Sequence, residues 1–251
     1  MIITGITGAI GHGKTTLAQA LVTASGQGEN FESSDIILEV ANALRALPID
    51  HPAPTDLEAI NEWLAFLPPI LHDITHVNVP ESAFVLTKQK LAKDTALYEK
   101  LFEYLAFMAH CPNFTRAAIT VENKHRYRAL LQWLGGYCVL KVHPTIWFDE
   151  LVRRVQATKG LNLTTIGGVR FPSDAESLRS VDGVIIAVQR PLHGSADSAD
   201  ITERERSQII PDITVINDGT IEQLQRLAST LYADLVSATP RPTYIASSFS
   251  V

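Results

Sequence analysis

The stretch from Gly8 to Thr15 constrains this chain more than any other part of its sequence. Its residues, Gly-Ala-Ile-Gly-His-Gly-Lys-Thr, match the pattern G-x-x-x-x-G-K-[ST]. Glycines at this spacing let successive backbone N–H groups turn towards a phosphate, and a following helix adds its positive N-terminal end. The pattern therefore predicts a phosphate-binding loop between a strand and a helix.

The residue types within this loop predict separate tasks. Lys14 would neutralise oxygens of the β- and γ-phosphates of ATP, and the hydroxyl of Thr15 would bind Mg²⁺. Thr16 stands where a dinucleotide-binding loop needs its last glycine, so the pattern does not fit a dinucleotide. His12 is interpreted as a filler position of the loop rather than as a catalytic acid. The residues expected to bind ATP are Gly8, Gly11, His12, Gly13, Lys14, Thr15 and Thr16.

The apolar segments along the chain predict an α/β fold. Near-continuous apolar strands separated by helices indicate a parallel sheet that is covered on both faces. We predict a P-loop NTPase-like, doubly wound, mainly parallel five-stranded sheet in a single domain over residues 1–238. The expected strands lie at residues 2–6, 30–33, 163–166, 184–188 and 213–216.

Helical periodicity fills most of the chain between these strands. Ser34 is a natural N-cap for a helix over residues 35–46, and a last helix is expected from Ile221 to about Val236. Between about residues 55 and 158 the pattern is mainly helical, which predicts a large helical insertion. Residues 239–251 contain several Ser, Thr and Pro and are expected to form a loosely ordered tail.

Composition and charge narrow the class of protein. The 251 residues include 21 Lys and Arg against 27 Asp and Glu, a net charge of −6, which argues against a domain that mainly binds a nucleic-acid backbone. No uncharged stretch approaches the ~20 residues that cross a bilayer, and the N-terminus lacks the pattern of a signal peptide. Cys111 and Cys138 form no CxxC pair and are expected to be reduced thiols. We therefore expect a cytoplasmic protein with no membrane partner and no stable nucleic-acid binding.

Three later segments, taken with the loop, resemble the deoxynucleoside monophosphate kinases encoded by bacteriophages. They are Arg-Ala-Leu-Leu-Gln-Trp-Leu-Gly-Gly at 128–136 with His-Pro-Thr-Ile-Trp at 143–147, Val-Arg-Phe-Pro-Ser-Asp-Ala-Glu at 169–176, and Arg-Pro-Leu-His at 190–193 with Asn-Asp-Gly-Thr at 217–220. Their order and spacing agree with the family from residue 2 to about residue 230. The resemblance implies transfer of a phosphoryl group from ATP·Mg²⁺ to a deoxynucleoside monophosphate. It also implies a location in the host cytoplasm if the chain is phage-encoded.

The resemblance and the chemistry of a phosphate dianion select candidate residues for binding the acceptor. A monophosphate needs guanidinium groups that bind two oxygens at once, and Arg128 and Arg170 are the candidates. Arg170 would follow the carboxyl end of a buried strand, where open α/β sheets place ligands. Trp147 matches the tryptophan of the family and would stack on the base. The residues expected at the acceptor are Ser34, Asp35, Arg128, Gly135, Gly136, Trp147 and Arg170.

Asp35 and Arg154 are further catalytic candidates beside Lys14 and Arg170. The family often has an aspartate near the position of Asp35, where a carboxylate would orient the acceptor or hold a metal-bound water. Arg154, or its neighbour Arg153, would reach the transferred phosphoryl group as an arginine supplied in cis. The plainer alternatives are an ion pair for Arg170, core packing for Trp147, a solvated charge for Arg128 and stabilisation of a helix start for Asp35.

The sequence departs from the family pattern at positions expected near the acceptor and the metal. Gly168 replaces the aspartate before V-R-F, Gly136 the threonine of L-G-T, and His143 the aspartate of D-P. Three explanations stay open: Asp35 supplies the missing carboxylate, the chain accepts a different nucleotide, or it is a nucleotide-binding regulator that transfers no phosphate. A kinase for another small acceptor, such as dephospho-coenzyme A, is a further alternative. The oligomeric state, including a homodimer, also stays open.

Overall fold

The computed structural model describes residues 1–44, 57–110, 118–120, 122–191 and 205–247. The chain forms two compact units: the first consists of Met1–Ser33 and Leu151–Val251, and the second of Ser34–Glu150. The first unit contains the sheet, and the described elements of the second are helices. Most of the helical insertion predicted for about residues 55–158 therefore falls in the second unit.

The first unit is built on six parallel strands in the order β2-β3-β1-β4-β5-β6. The strands are β1 (Ile2–Thr7), β2 (Gly28–Glu32), β3 (Leu163–Gly167), β4 (Val184–Gln189), β5 (Ile213–Asp218) and β6 (Thr243–Ser247). β1 lies in the interior of the sheet, with Ile2 beside Leu163 of β3 and Thr4 beside Val184 of β4. Because all strands run in one direction, their carboxyl ends meet at one edge, where α/β proteins bind ligands.

Helices cover both faces of this sheet. The described helices of the chain are α1 (Lys14–Ser25), α2 (Ser33–Leu44), α3 (Leu57–Leu64), α4 (Leu67–Thr75), α5 (Lys88–Lys93), α6 (Thr95–His110), α7 (Arg128–Lys141), α8 (Ile146–Ala157), α9 (Pro172–Arg179) and α10 (Ile221–Val236). On one face, Leu21 of α1 and Leu231 of α10 join Val188 in the apolar core. On the other face, Leu178 of α9 lies directly against Gly5 of β1. The predicted doubly wound α/β architecture is confirmed.

The number of strands and the nature of the C-terminal segment differ from the prediction. The sheet has six strands rather than five, because residues 243–247 of the expected loose tail form β6 beside β5. Tyr244 and Ala246 are buried while Thr243 and Ile245 are exposed, the alternation of a strand with one face on the core. The Tyr244 hydroxyl also donates to Asp234 Oδ2 at 2.8 Å. Flanking prolines and hydroxyl residues hide so short an edge strand from a sequence pattern.

The boundary between β2 and α2 also lies elsewhere than predicted. β2 spans Gly28–Glu32 rather than residues 30–33, and α2 begins at Ser33, earlier than the predicted start at Asp35. The described part of α2 ends at Leu44, so the predicted end at residue 46 lies outside the described residues. The shift matters for the site, because it makes Glu32 the last residue of a strand.

The second unit packs its helices around aromatic side chains. Trp63 of α3 stacks on Tyr104 of α6 with ring centroids 6.1 Å apart, and Tyr137 of α7 contacts Phe84 and Trp133 at 5.4 and 5.1 Å. The buried Cys138 on α7 carries a free thiol, as expected, whereas Cys111 lies outside the described residues. In the described part of the chain, none of the helices is long and apolar enough to span a membrane.

Candidate active site

The loop between β1 and α1 adopts the turn that its glycines allow. Gly13 has a φ of 96°, in the left-handed region that favours glycine, and it is the residue directly before α1. A Cβ at Gly13 would lie 2.6 Å from Asn217 Nδ2, at the carboxyl end of β5. The loop therefore sits at the edge of the sheet where strands end, with the N-terminus of α1 beside it.

His12 anchors this loop to the neighbouring strands. Its Nδ1 lies 3.2 Å from the carbonyl oxygen of Val188 and 3.3 Å from the backbone nitrogen of Arg190. Depending on the tautomer, Nδ1 donates to the first or accepts from the second. Asn217 Nδ2 donates to the His12 carbonyl oxygen at 2.9 Å. His12 is thus a structural link between the loop and the ends of β4 and β5, which is more than the filler role predicted from sequence.

Lys14 and Thr15 open α1 and face a small pocket at the edge of the sheet. Lys14 Nζ donates to the carbonyl oxygen of Ala9 at 2.8 Å, which keeps the ammonium group against the loop. The pocket has a volume of about 170 Å³. This is below the usual ~300 Å³ or more of a pocket for a whole small molecule, so the pocket suits phosphate groups rather than an entire nucleotide. The phosphate pocket, as we name it, is lined by Ile6, Lys14, Thr15, Ala18, Glu32, Gly167, Gly168 and Arg170.

Arg170 reaches this pocket from the segment that follows β3. The carbonyl oxygen of Val169 accepts a hydrogen bond from Thr7 Oγ1 at 2.9 Å, so the segment is tied to the end of β1. Asp174 Oδ2 accepts the backbone N–H groups of Arg170 and Phe171, both at 2.9 Å. Arg170 itself is exposed, so its guanidinium is available to a ligand. The structure therefore brings Lys14, Thr15 and Arg170 together around one pocket.

The carboxyl group of Asp174 is buried, with 3% of its surface exposed. Burial raises its pKa from an ordinary 3.8 to about 7, although the two backbone hydrogen bonds and the nearby Arg170 charge act in the opposite direction. Asp174 is therefore near its midpoint at neutral pH. Its role is to hold the backbone that carries Arg170.

Glu32 is the charged residue of this pocket that the sequence prediction missed. It ends β2 beside Gly167 of β3, and its carboxylate lies directly over that glycine. Asn30 Nδ2 donates to Glu32 Oε1 at 3.3 Å. The available signal was an acidic residue at the end of the strand after α1. With the strand predicted to run to residue 33, Glu32 looked like an interior strand residue.

Six of the predicted acceptor residues belong to the second unit. Arg128 is exposed as the first residue of α7, where Gly135 and Gly136 are half-buried. Ser34 and Asp35 lie in the first turn of α2, with Asp35 exposed. The positions of these five residues do not test whether they bind the acceptor, so that role stays a prediction. The sixth residue is Trp147.

Trp147 does not present a face on which a base could stack. Its side chain on α8 is 3% exposed, and its Nε1–H donates to the carbonyl oxygen of Gly135 at 3.1 Å. A ring enclosed in this way packs helices together, so the structure does not support the stacking prediction and favours the alternative of core packing. Arg154 is half-buried on the same helix, and its neighbour Arg153 is exposed.

His193, in the third family-like segment, lies outside the described residues. No group of three or more His, Cys, Asp or Glu side chains that could hold a metal ion by itself occurs within the described ranges.

Part of the chain matches a known protein family. A family model described as deoxynucleotide monophosphate kinase matches residues 70–227, which is more than half of the chain. The matched span includes Gly168, Arg170 and Asp174, and it begins after the phosphate loop and Glu32. The loop is therefore an observation independent of the match. No curated protein matches the chain.

Proposed function

The chain belongs to the deoxynucleotide monophosphate kinase family, and we propose that it transfers the γ-phosphoryl group of ATP to a deoxynucleoside monophosphate. Membership makes it a phosphotransferase with nucleotide substrates. The identity of the phosphoryl donor as ATP goes beyond family membership and is our proposal. The observation that carries it is the meeting of Lys14, Thr15 and Arg170 in the phosphate pocket.

The loop and Lys14 form the donor side of the proposed reaction. Backbone N–H groups of the loop and the N-terminus of α1 attract phosphate oxygens. Lys14 exchanges its contact with the Ala9 carbonyl oxygen for oxygens of the β- and γ-phosphates. Little covalent chemistry is then required of the protein, because phosphoryl transfer is accelerated mainly by positioning and by neutralising charge.

The residues present fit a Mg²⁺ ion that accompanies ATP. The Thr15 side chain is exposed at the first turn of α1 and lines the phosphate pocket, and oxygen donors suit this ion. Mg²⁺ commonly takes one or two protein ligands and otherwise waters and substrate phosphates. When bound, it neutralises charge on the β- and γ-phosphate oxygens. Thr15 is the residue we propose to hold it.

Arg170 is the residue we propose for the phosphate of the acceptor. Its backbone is fixed by Asp174 and its exposed side chain lines the phosphate pocket, so its guanidinium can bind two oxygens of a monophosphate. Arg154 remains the candidate for contact with the transferred phosphoryl group. For the second unit, we propose that Ser34, Asp35, Arg128, Gly135 and Gly136 contribute to binding the acceptor.

We further propose that the protein works in the cytoplasm, without stable nucleic-acid binding. The net charge of −6 supports the latter, since a nucleic-acid partner favours a basic surface. A homodimer and a phage origin stay predictions.

The proposed reaction is tested by supplying ATP·Mg²⁺ with each common dNMP and NMP and separating the products by chromatography. Formation of a diphosphate from one or two deoxynucleotides is the expected result. Lys14→Ala should reduce kcat by about 100- to 1,000-fold, as for other losses of a group that stabilises transition-state charge. Lys159→Ala, an exposed lysine of the same unit, is the matched control and should behave as wild type. Unchanged turnover in folded Lys14→Ala would contradict the donor assignment.

One observation favours a second candidate function, a nucleotide-binding regulator that transfers no phosphate. The position before Val169 is Gly168, so the carboxylate of the family pattern is missing there. The same assay separates the two functions. ATP binding by wild type without a diphosphate from any acceptor would favour the regulator.

A further inference from the structure

Glu32 is the only acid among the described residues that line the phosphate pocket. We infer that its carboxylate holds the Mg²⁺ of bound ATP together with Thr15, in place of an acidic side chain after β3. The inference rests on the proposed function, because it requires ATP in the loop. It concerns a residue outside the span matched by the family model.

A side chain at the end of β3 would compete for space with Glu32 and Ser33 at the end of β2. A Cβ at Gly167 would overlap both carboxylate oxygens of Glu32. Gly168 has a φ of 78°, which side chains rarely adopt, and a Cβ there would overlap Ser33 Oγ. The two glycines therefore leave space that the end of β2 fills. The carboxylate reaches the pocket from the neighbouring strand.

The register of β2 keeps Glu32 in this place. Glu32 pairs with Gly167 in the parallel ladder, and alternation along the strand puts Asn30 on the same side. Asn30 Nδ2 donates to Glu32 Oε1 at 3.3 Å, and Asn30 Oδ1 accepts from Thr165 Oγ1 at 2.7 Å. This succession of contacts connects the carboxylate to β3. A ligating carboxylate supported by a second hydrogen-bonded residue is the usual arrangement around a metal ion.

The charges in the pocket favour a cation between Glu32 and the phosphates. A carboxylate beside phosphates repels them when nothing lies between, and this would weaken the attraction that Lys14 and Arg170 provide. Mg²⁺ removes the conflict, because both carboxylate and phosphate oxygens are its preferred ligands. Glu32 and Thr15 line the same pocket, so both oxygen donors face the space that the phosphates would enter.

The test measures how much Mg²⁺ strengthens ATP binding, by calorimetry with and without the ion. In Glu32→Gln, the factor by which Mg²⁺ increases the affinity for ATP should be smaller by about tenfold or more. This is the effect typical of losing a group that supports a metal. Its affinity for metal-free ATP should stay equal or increase, since a negative charge beside the phosphates is gone. Glu29→Gln is the matched control, because Glu29 is exposed on the same strand and alternation turns it to the other side.

A second readout uses Mn²⁺, whose free concentration is measured by electron paramagnetic resonance in the presence of ATP. Glu32→Asp keeps the charge on a shorter side chain and should bind the ion more weakly than wild type but more tightly than Glu32→Gln. Should Glu32→Gln not fold, a Mn²⁺ affinity of Glu32→Asp equal to wild type overturns the inference, and a weakened one supports it.

The outcomes separate the inference from the function on which it rests. Equal Mg²⁺ gains in wild type and folded Glu32→Gln overturn the role of Glu32 and leave the kinase proposal intact. Loss of the gain in both Glu32→Gln and Glu29→Gln also overturns it, because the effect would then follow net charge rather than position. Failure of wild type to bind ATP overturns both proposals.

Discussion

The two units of the chain hold their candidate residues in different ways. In the first unit, Lys14 and Arg170 belong to segments at strand ends, which hydrogen bonds of the loop and of Asp174 fix in place. In the second unit, Trp147 is enclosed between helices and bonded to Gly135. Polar residues at the ends of parallel strands lie where such sheets place ligands, whereas packing alone explains an aromatic residue on an amphipathic helix.

The strongest test of this contrast is the removal of the Trp147 side chain. Trp147→Ala should lower the free energy of unfolding by about 3–5 kcal/mol, because it leaves a cavity in the helical core. Trp147→Phe retains most of the volume and should keep the acceptor KM close to wild type. Denaturant unfolding and steady-state kinetics measure the two quantities. A stable Trp147→Phe variant whose acceptor KM rises tenfold would restore base stacking, which is worth ~1–3 kcal/mol.

The next largest predicted effect is a change of the free energy of unfolding with pH, caused by Asp174, which holds the backbone of Arg170. The folded protein keeps the proton of Asp174 up to about pH 7, whereas the unfolded chain releases it near its ordinary pKa of 3.8. The contribution of Asp174 to the free energy of unfolding therefore falls as pH rises between these values, by at most about 4 kcal/mol, and is constant above. Asp174→Asn should lack this slope. Unfolding measured from pH 4 to pH 8 tests it.

The control for this pH profile is Asp182→Asn, an exposed aspartate of the same unit that should keep the wild-type slope. Profiles of wild type and Asp174→Asn that run parallel would contradict the pKa assignment. The segment carrying Arg170 would then be held by its other contacts, such as the hydrogen bond from Thr7 to Val169.

The smallest predicted effect concerns the proposed contact between Arg170 of the first unit and the acceptor. Arg170→Ala should reduce kcat/KM for the acceptor about tenfold or more, since losing a hydrogen bond from a charged group costs about 1.5–3 kcal/mol. Arg226→Ala, an exposed arginine on α10, is the matched control. Kinetics with the acceptor varied at saturating ATP measure both variants. An unchanged acceptor KM and kcat would assign Arg170 to a structural role and remove the contrast between the two units.

The parts of the fold that the sequence predicted are those in which local pattern determines structure. The glycine spacing of the loop and the apolar runs of β1, β3, β4 and β5 were sufficient for the architecture. β6 escaped because it has only five residues, is preceded by Pro240 and Pro242, and carries the apolar Ile245 at an exposed position, which obscures the alternation of a strand. Its place is determined by tertiary contacts, such as that between Tyr244 and Asp234, which no local pattern contains.

In the phosphate pocket, too, local sequence spacing predicted some residues, whereas strand pairing determines the position of another. Lys14 and Thr15 were found because their spacing from the loop glycines is fixed along the chain. Glu32 was missed because its position depends on pairing with Gly167, a residue 135 positions away in the sequence. A slip of one residue in the pairing of β2 with β3 would turn the Glu32 side chain to the other side of the sheet, and no local pattern determines that register.

The position of β1 inside the sheet affects how the chain acquires its structure during synthesis. β1 is synthesised before both of its neighbours in the sheet, which begin at Leu163 and Val184. The strand therefore stays without a sheet partner until synthesis has reached β3 at Leu163. Contacts so distant in sequence slow folding and leave an apolar segment exposed to aggregation.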